Sequence, residues 1–182
     1  LETLSSGEFQ VIIPESEKLD TAKVDRLVLC SGKVYFDLLE ARQVHGLGNV
    51  AIARIEQLYP FPLEQYAALI DEYRHVNDIV WCQEEPQNQG AWYQIRHRLQ
   101  EPLADHQNLY YAGRAGAAAP ASGIFKVHLQ QQQALVEAAL SSLCFNRLVY
   151  LGVPFPCTRF GEYAGYRTDH DPRQRATSAG PY

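Results

Sequence analysis

Methionine is absent from all 182 residues, and the first position is Leu1. The chain is therefore expected to be a fragment or a processed product. Cysteine is scarce, at positions 30, 82, 144 and 157, and no two form a C-x-x-C pair. That spacing argues against a structural zinc site. Cys30 and Cys82 fall inside apolar runs and are expected to be small buried thiols in a reducing setting. No stretch of about 18 apolar residues occurs, so no membrane-spanning helix is expected. The opening LETLSSGEFQ lacks the basic and apolar regions of a signal peptide. Positive charge is in the minority, 16 Lys and Arg against 21 Asp and Glu for a net −5, which points away from nucleic acid as a partner. The G-x-S-x-G elbow, the G-x-G-x-x-G fingerprint and the P-loop spacing are all missing. His45, His75, His97, His106, His128 and His170 show no metal-ligand spacing. No catalytic residue and no metal ligand is assigned.

What is present is a repeating order of elements. A hydrophobic fraction of 46% with 20% charged residues suits a chain that folds around a packed core. Phe9, Val11, Ile12 and Ile13 suggest a short edge strand ended by Pro14, followed by a charged loop over 15–25. Short apolar runs at Arg26–Cys30, Val50–Ile55, Ile79–Cys82 and Asn108–Ala112 read as strands buried on both faces. Helical spacing fills the gaps. Val34, Leu38, Leu39 and Arg42 mark the first helix, opened by Ser31-Gly32 and stopped by Gly46 and Gly48. Leu63, Tyr66, Ala67 and Ile70 mark the second, after Pro62. Gly90–Glu101 predicts a third and Ile124–Leu140 a fourth, its glutamines 130–133 read as a solvated surface. The alternation predicts an α/β, three-layer sandwich with a mostly parallel sheet. The expected division is a lead-in over 1–25, the α/β domain over 26–141 and a tail over 142–182. The tail holds five arginines against three carboxylates and no lasting periodicity, so it is expected to be poorly ordered, with one short strand at Leu148–Val153.

Function is expected at the carboxyl ends of the strands, where open parallel sheets place ligands. The stretch VWCQEEPQNQGAWY, Val80–Tyr93, runs from a strand straight into such a loop. Glu84 and Glu85 have a second reading, as charges favourable to the following helix N-terminus. Ser31-Gly32-Lys33 suits either an anion at the first helix N-terminus or simple capping. Arg114 suits a phosphate or carboxylate clamp, or a salt bridge to Glu84 or Glu85. Arg54 is expected at the same edge. His128 reads as a satisfied side chain rather than a catalyst.

The strings LVLCSGKVYFDLLE, VAIARIEQLYPFP, VWCQEEPQNQGAWY, YYAGRAGAAAPASG and KVHLQQQQALV together resemble one family over about Ser6–Leu140. It is the C-terminal, transketolase-like domain of the thiamine-diphosphate-dependent first component of the 2-oxoglutarate dehydrogenase complex. The resemblance implies a full enzyme that decarboxylates 2-oxoglutarate with thiamine diphosphate and Mg²⁺, both held by upstream domains. It further implies succinyl transfer to a lipoyl group on the dihydrolipoyl succinyltransferase core. A homodimer is implied, in the bacterial cytoplasm or, in a eukaryote, the mitochondrial matrix. Some members bind AMP or acetyl-CoA in this domain. The positions resembling that pocket are Arg54, Gln57, Gln107 and Arg114, with Ser31 at the same edge; Ala115 stands where some members carry a second arginine. If the piece chiefly dimerises, Trp81, Trp92 and Tyr93 are expected near the subunit contact.

Overall fold

A computed structural model describes residues 7–141 and 158–159. The strand expected at Leu148–Val153 and most of the tail lie outside them. Six strands form one sheet: β1 (Ile12–Ile13), β2 (Arg26–Cys30), β3 (Val50–Ile55), β4 (Asp78–Pro86), β5 (Asn108–Arg114) and β6 (Thr158–Arg159). Their spatial order is β1-β3-β2-β4-β5-β6. The four inner strands run parallel, and β1 and β6 pair antiparallel at the two edges. Four helices connect them: α1 (Val34–His45), α2 (Leu63–Glu72), α3 (Trp92–Gln100) and α4 (Phe125–Leu140).

The inner strands are apolar in continuous runs because both sheet faces are covered. Alternation sends Leu27, Leu29, Ile79 and Trp81 to a core with Tyr66, Ile70, Ile95 and Leu99 of α2 and α3. Val28, Cys30, Val80 and Cys82 go to the other side, against Val34 and Leu38 of α1 and Leu135 and Ala139 of α4. This is the three-layer α/β arrangement the alternation predicts. Cys30 and Cys82 stand directly opposite each other on β2 and β4, fully buried and free. Burial pushes the Cys30 thiol up to about 12 and that of Cys82 well above its ordinary value.

Several boundaries differ from the expectations, each for a local reason. Helix α1 begins at Val34 rather than Ser31, because Gly32 sits at φ +71°, outside helical backbone. Only Ile12–Ile13 of the expected first strand pairs with β3. Pro14 then has no N–H to continue the ladder. Instead the Glu15 carboxylate takes the next bond, accepting from the Ile52 N–H at 2.8 Å. Strand β4 runs on past Cys82 to Pro86, through a register irregularity, and rejoins the ladder opposite Arg114.

The charged loop is not merely solvated. Glu15 also accepts from both terminal nitrogens of Arg42, which is buried and bonds the Val50 carbonyl at 3.0 Å. Glu17 adds a second carboxylate 3.0 Å from Arg42. Arg42 therefore belongs on the inward stripe of α1 as a charge, not as a filler. Trp81 and Trp92 are 1% and 3% exposed and packed within the domain; Tyr93 is 49% exposed.

Candidate functional site

The parallel strands bring Ser31, Arg54, Glu84 and Arg114 to one rim. Cys30 pairs with Arg54 and with Cys82, Cys82 with Ala112, and Pro86 with Arg114. The chain leaves β2 toward β3 on one side, and later crosses over to β4 on the other. The gap between the ends of β2 and β4 is therefore a topological switch point, where crevices form in open α/β sheets. A cleft of about 760 Å³ opens there, lined among others by Ser31, Lys33, Tyr59, Trp81, Glu85 and Gln94.

One wall of this cleft is the loop between β4 and α3, and Gln83 organises it. The side chain is buried. Its Oε1 accepts from Trp81 Nε1 and from the Trp92 N–H, both at 3.0 Å. Its Nε2 donates to the carbonyls of Glu85, Pro86 and Gln89 at 3.2, 3.2 and 2.9 Å. Gly90 closes the loop at φ +67°, and a Cβ there would come within 3.0 Å of Gln83 Nε2. Sequence reading passed over Gln83 in favour of the two glutamates beside it. Its inward parity with Trp81, two residues before, was the available signal.

Arg54, Glu84 and Arg114 alternate to the opposite sheet face, under α1 and α4. Arg54 lies over the Tyr35 ring at 4.7 Å, with its Nε 3.4 Å from Glu56. Lys33 holds Glu84 at 2.5 Å, and that hydrogen bond keeps the ammonium above its ordinary range. Glu84 is thus an ion-pair partner rather than a helix cap. Arg114 is 6% exposed. Its Nη2 donates to Gln132 Oε1 at 3.0 Å and to His128 Nδ1 at 3.1 Å. A guanidinium only donates, so Nδ1 is the acceptor in this contact. Arg114 Nε is buried and has no hydrogen-bond partner among the described residues.

Among the described residues no ion pair joins Arg114 to Glu84 or Glu85. Gln132 stands between, its Nε2 donating to Glu84 Oε1 at 2.9 Å and Asp37 Oδ2 at 2.7 Å. One member of the glutamine run, the half-buried Gln132, therefore makes three polar contacts within the fold. Its signal was faint: Gln132 shares a helix face with His128, Leu135 and Val136.

Two expected residues stand apart. Gln57 donates to the Pro60 carbonyl at 2.7 Å and serves the turn before α2. Gln107 precedes β5 at the amino ends of the strands, buried, where its amide bonds Tyr73, Val76 and Ala104 backbone groups. The structure does not bring Gln107 to the rim.

A sequence model of the family described as 2-oxoglutarate dehydrogenase C-terminal matches residues 1–140. The chain is 47% identical over 143 residues to the 2-oxoglutarate dehydrogenase E1 component of Cupriavidus necator, covering 79% of this chain and 15% of that protein. It is 51% identical over 141 residues to the E1 component of Haemophilus influenzae, covering 78% and 15%. The E1 component of Azotobacter vinelandii is 49% identical over 144 residues, with 78% and 15% covered. The chain thus spans about 15% of the length of the curated relatives it matches.

Proposed function

Because the chain belongs to the 2-oxoglutarate dehydrogenase C-terminal family, we propose that it serves as the C-terminal, non-catalytic domain of a first component of that complex. The reaction is the oxidative decarboxylation of 2-oxoglutarate with succinyl transfer to a lipoyl group on the dihydrolipoyl succinyltransferase core. The setting is the bacterial cytoplasm, and the assembly a homodimer. The observation that carries this reading is near-50% identity along almost the whole described domain. Among the described residues no three His, Cys, Asp or Glu side chains converge. In this reading the thiamine diphosphate and Mg²⁺ are held by other domains of the enzyme, and this one braces and regulates.

The chain mixed with 2-oxoglutarate, thiamine diphosphate, Mg²⁺ and an electron acceptor is expected to give no turnover. Clear turnover would overturn the division of roles.

A regulatory reading is favoured by one observation, the buried Arg114 with an unused Nε. In this reading Arg54, Arg114 and Ser31 form the rim that receives an anionic effector such as AMP or acetyl-CoA, while Gln57 holds the turn before α2 and Gln107 the amino end of β5. A guanidinium whose hydrogens are not all used gains charge-assisted bonds from a phosphate. Calorimetry should show AMP or acetyl-CoA binding that Arg114→Ala weakens at least about tenfold, the worth of one charge-assisted hydrogen bond. Binding unchanged by the substitution rejects Arg114 as the anchor.

A further inference from the structure

We infer that Gln132 is an exchangeable relay, which an anion on Arg114 displaces so that occupancy at Arg114 is felt at the Lys33–Glu84 edge of the cleft. The inference rests on the anionic-effector reading and adds how that site reports its state. Three observations carry it.

First, the Gln132 amide has a fixed sense. Its oxygen faces a cation, and its two N–H bonds face two carboxylates. A flipped amide would oppose like to like at all three contacts. Second, the amide keeps apart groups that attract. Arg114 lies on one side of it, with Glu84 and Asp37 on the other. The Gln132 oxygen is neutral, and a charged phosphate oxygen makes the stronger bond to a guanidinium. Third, the same Glu84 Oε1 that accepts from Gln132 also accepts from Lys33. Removing Gln132 leaves that oxygen to Lys33 alone and strips Asp37 of its 2.7 Å donor. Lys33 and Glu84 both line the cleft.

The sequence of events needs no backbone rearrangement. An anion approaches past His128 and Gln132, the half-buried members of the cluster. It takes the Arg114 hydrogens that Gln132 used. The freed glutamine turns outward, and the first turn of α1 and the end of β4 each lose a tie to α4. Two sites are then joined by one side chain with two positions, which is what coupling between sites requires.

The test uses the 182-residue chain, isotopically labelled, with AMP and inorganic pyrophosphate as probes. In the unmodified chain, either probe is expected to shift the backbone amide signals of Lys33, Asp37 and Glu84. Gln132→Leu removes the competitor for Arg114. It should bind the probe roughly three to ten times more tightly, as expected for removing one competing hydrogen bond, while the shifts at Lys33 and Asp37 disappear. Gln132→Glu gives Arg114 a permanent carboxylate and should bind at least about tenfold more weakly. Its opposite sign keeps the test decisive if the leucine variant folds poorly. Binding in which Gln132→Leu retains the Lys33 and Asp37 shifts overturns the relay and leaves the anion site standing. Failure of the unmodified chain to bind either probe overturns both.

Discussion

Gln83→Leu is expected to cost the domain about 3–5 kcal/mol of unfolding free energy, from two buried donors each left short by roughly 1–3 kcal/mol. The side chain accepts from Trp81 Nε1 and the Trp92 N–H. Leucine is close in volume but offers neither an acceptor. Trp81 is buried, and so is Trp92 at the first turn of α3. Water cannot take the place of the lost amide without opening the core. The loop carbonyls of Glu85, Pro86 and Gln89 lose their shared donor as well. Glu85 and Gln89 are exposed or half-buried, so the loss of their bonds frees the loop more than it unfolds the chain. The check is the urea midpoint at unchanged slope. A loss below about 1 kcal/mol would show that the loop is held by its backbone alone.

Arg42→Met is the second large effect, about 3–5 kcal/mol, because it leaves a charged carboxylate in the interior without its partner. The two side chains are 2% and 7% exposed. The double variant Glu15→Gln/Arg42→Met should recover part of the loss, since a neutral glutamine oxygen still accepts the Ile52 N–H. The pair also makes stability depend on pH in a defined direction. Burial raises the Glu15 value, but the Arg42 hydrogen bond, the Glu17 and Ile52 N–H groups and the Arg42 charge outweigh it, so the folded value lies below the ordinary 4.5. A depressed acid contributes stability that is whole above its unfolded value and is lost as pH falls through the folded one. Glu15→Gln should therefore differ most from the unmodified chain near about pH 7 and least near about pH 3. Comparing urea midpoints at those two values decides it. An equal difference at both would mean that the Glu15 charge contributes nothing.

The rim itself was legible before any coordinates. Parallel strands share a direction, so Ser31, Arg54, Glu84 and Arg114, each at or just past a strand's apolar run, had to meet at one edge. The alternation of strands and helices carried the layers for the same reason. What was not legible depended on partners far apart in sequence. Glu15 and Arg42 are joined across 27 positions, and nothing local to either marks it. Gln132 meets Asp37 across 95. Gln107 is the instructive misplacement. It adjoins an inner strand, but at the amino end, and only the order of residues within β5 separates that end from the rim. Gln83 was overshadowed by Glu84 and Glu85, because charge is conspicuous in a sequence and inward parity is not.

The Pro14–Glu15 step at the margin of β3 has a bearing on how the protein keeps to itself. An outer strand with open N–H and C=O groups is a template on which another molecule can stack, the first step toward fibrils. Here two residues of ladder, a proline and a carboxylate inserted where a further N–H would be offered leave little for a stranger to grasp. Residues 12–15 thus act as a selvedge, finishing the cloth so that it neither frays nor catches.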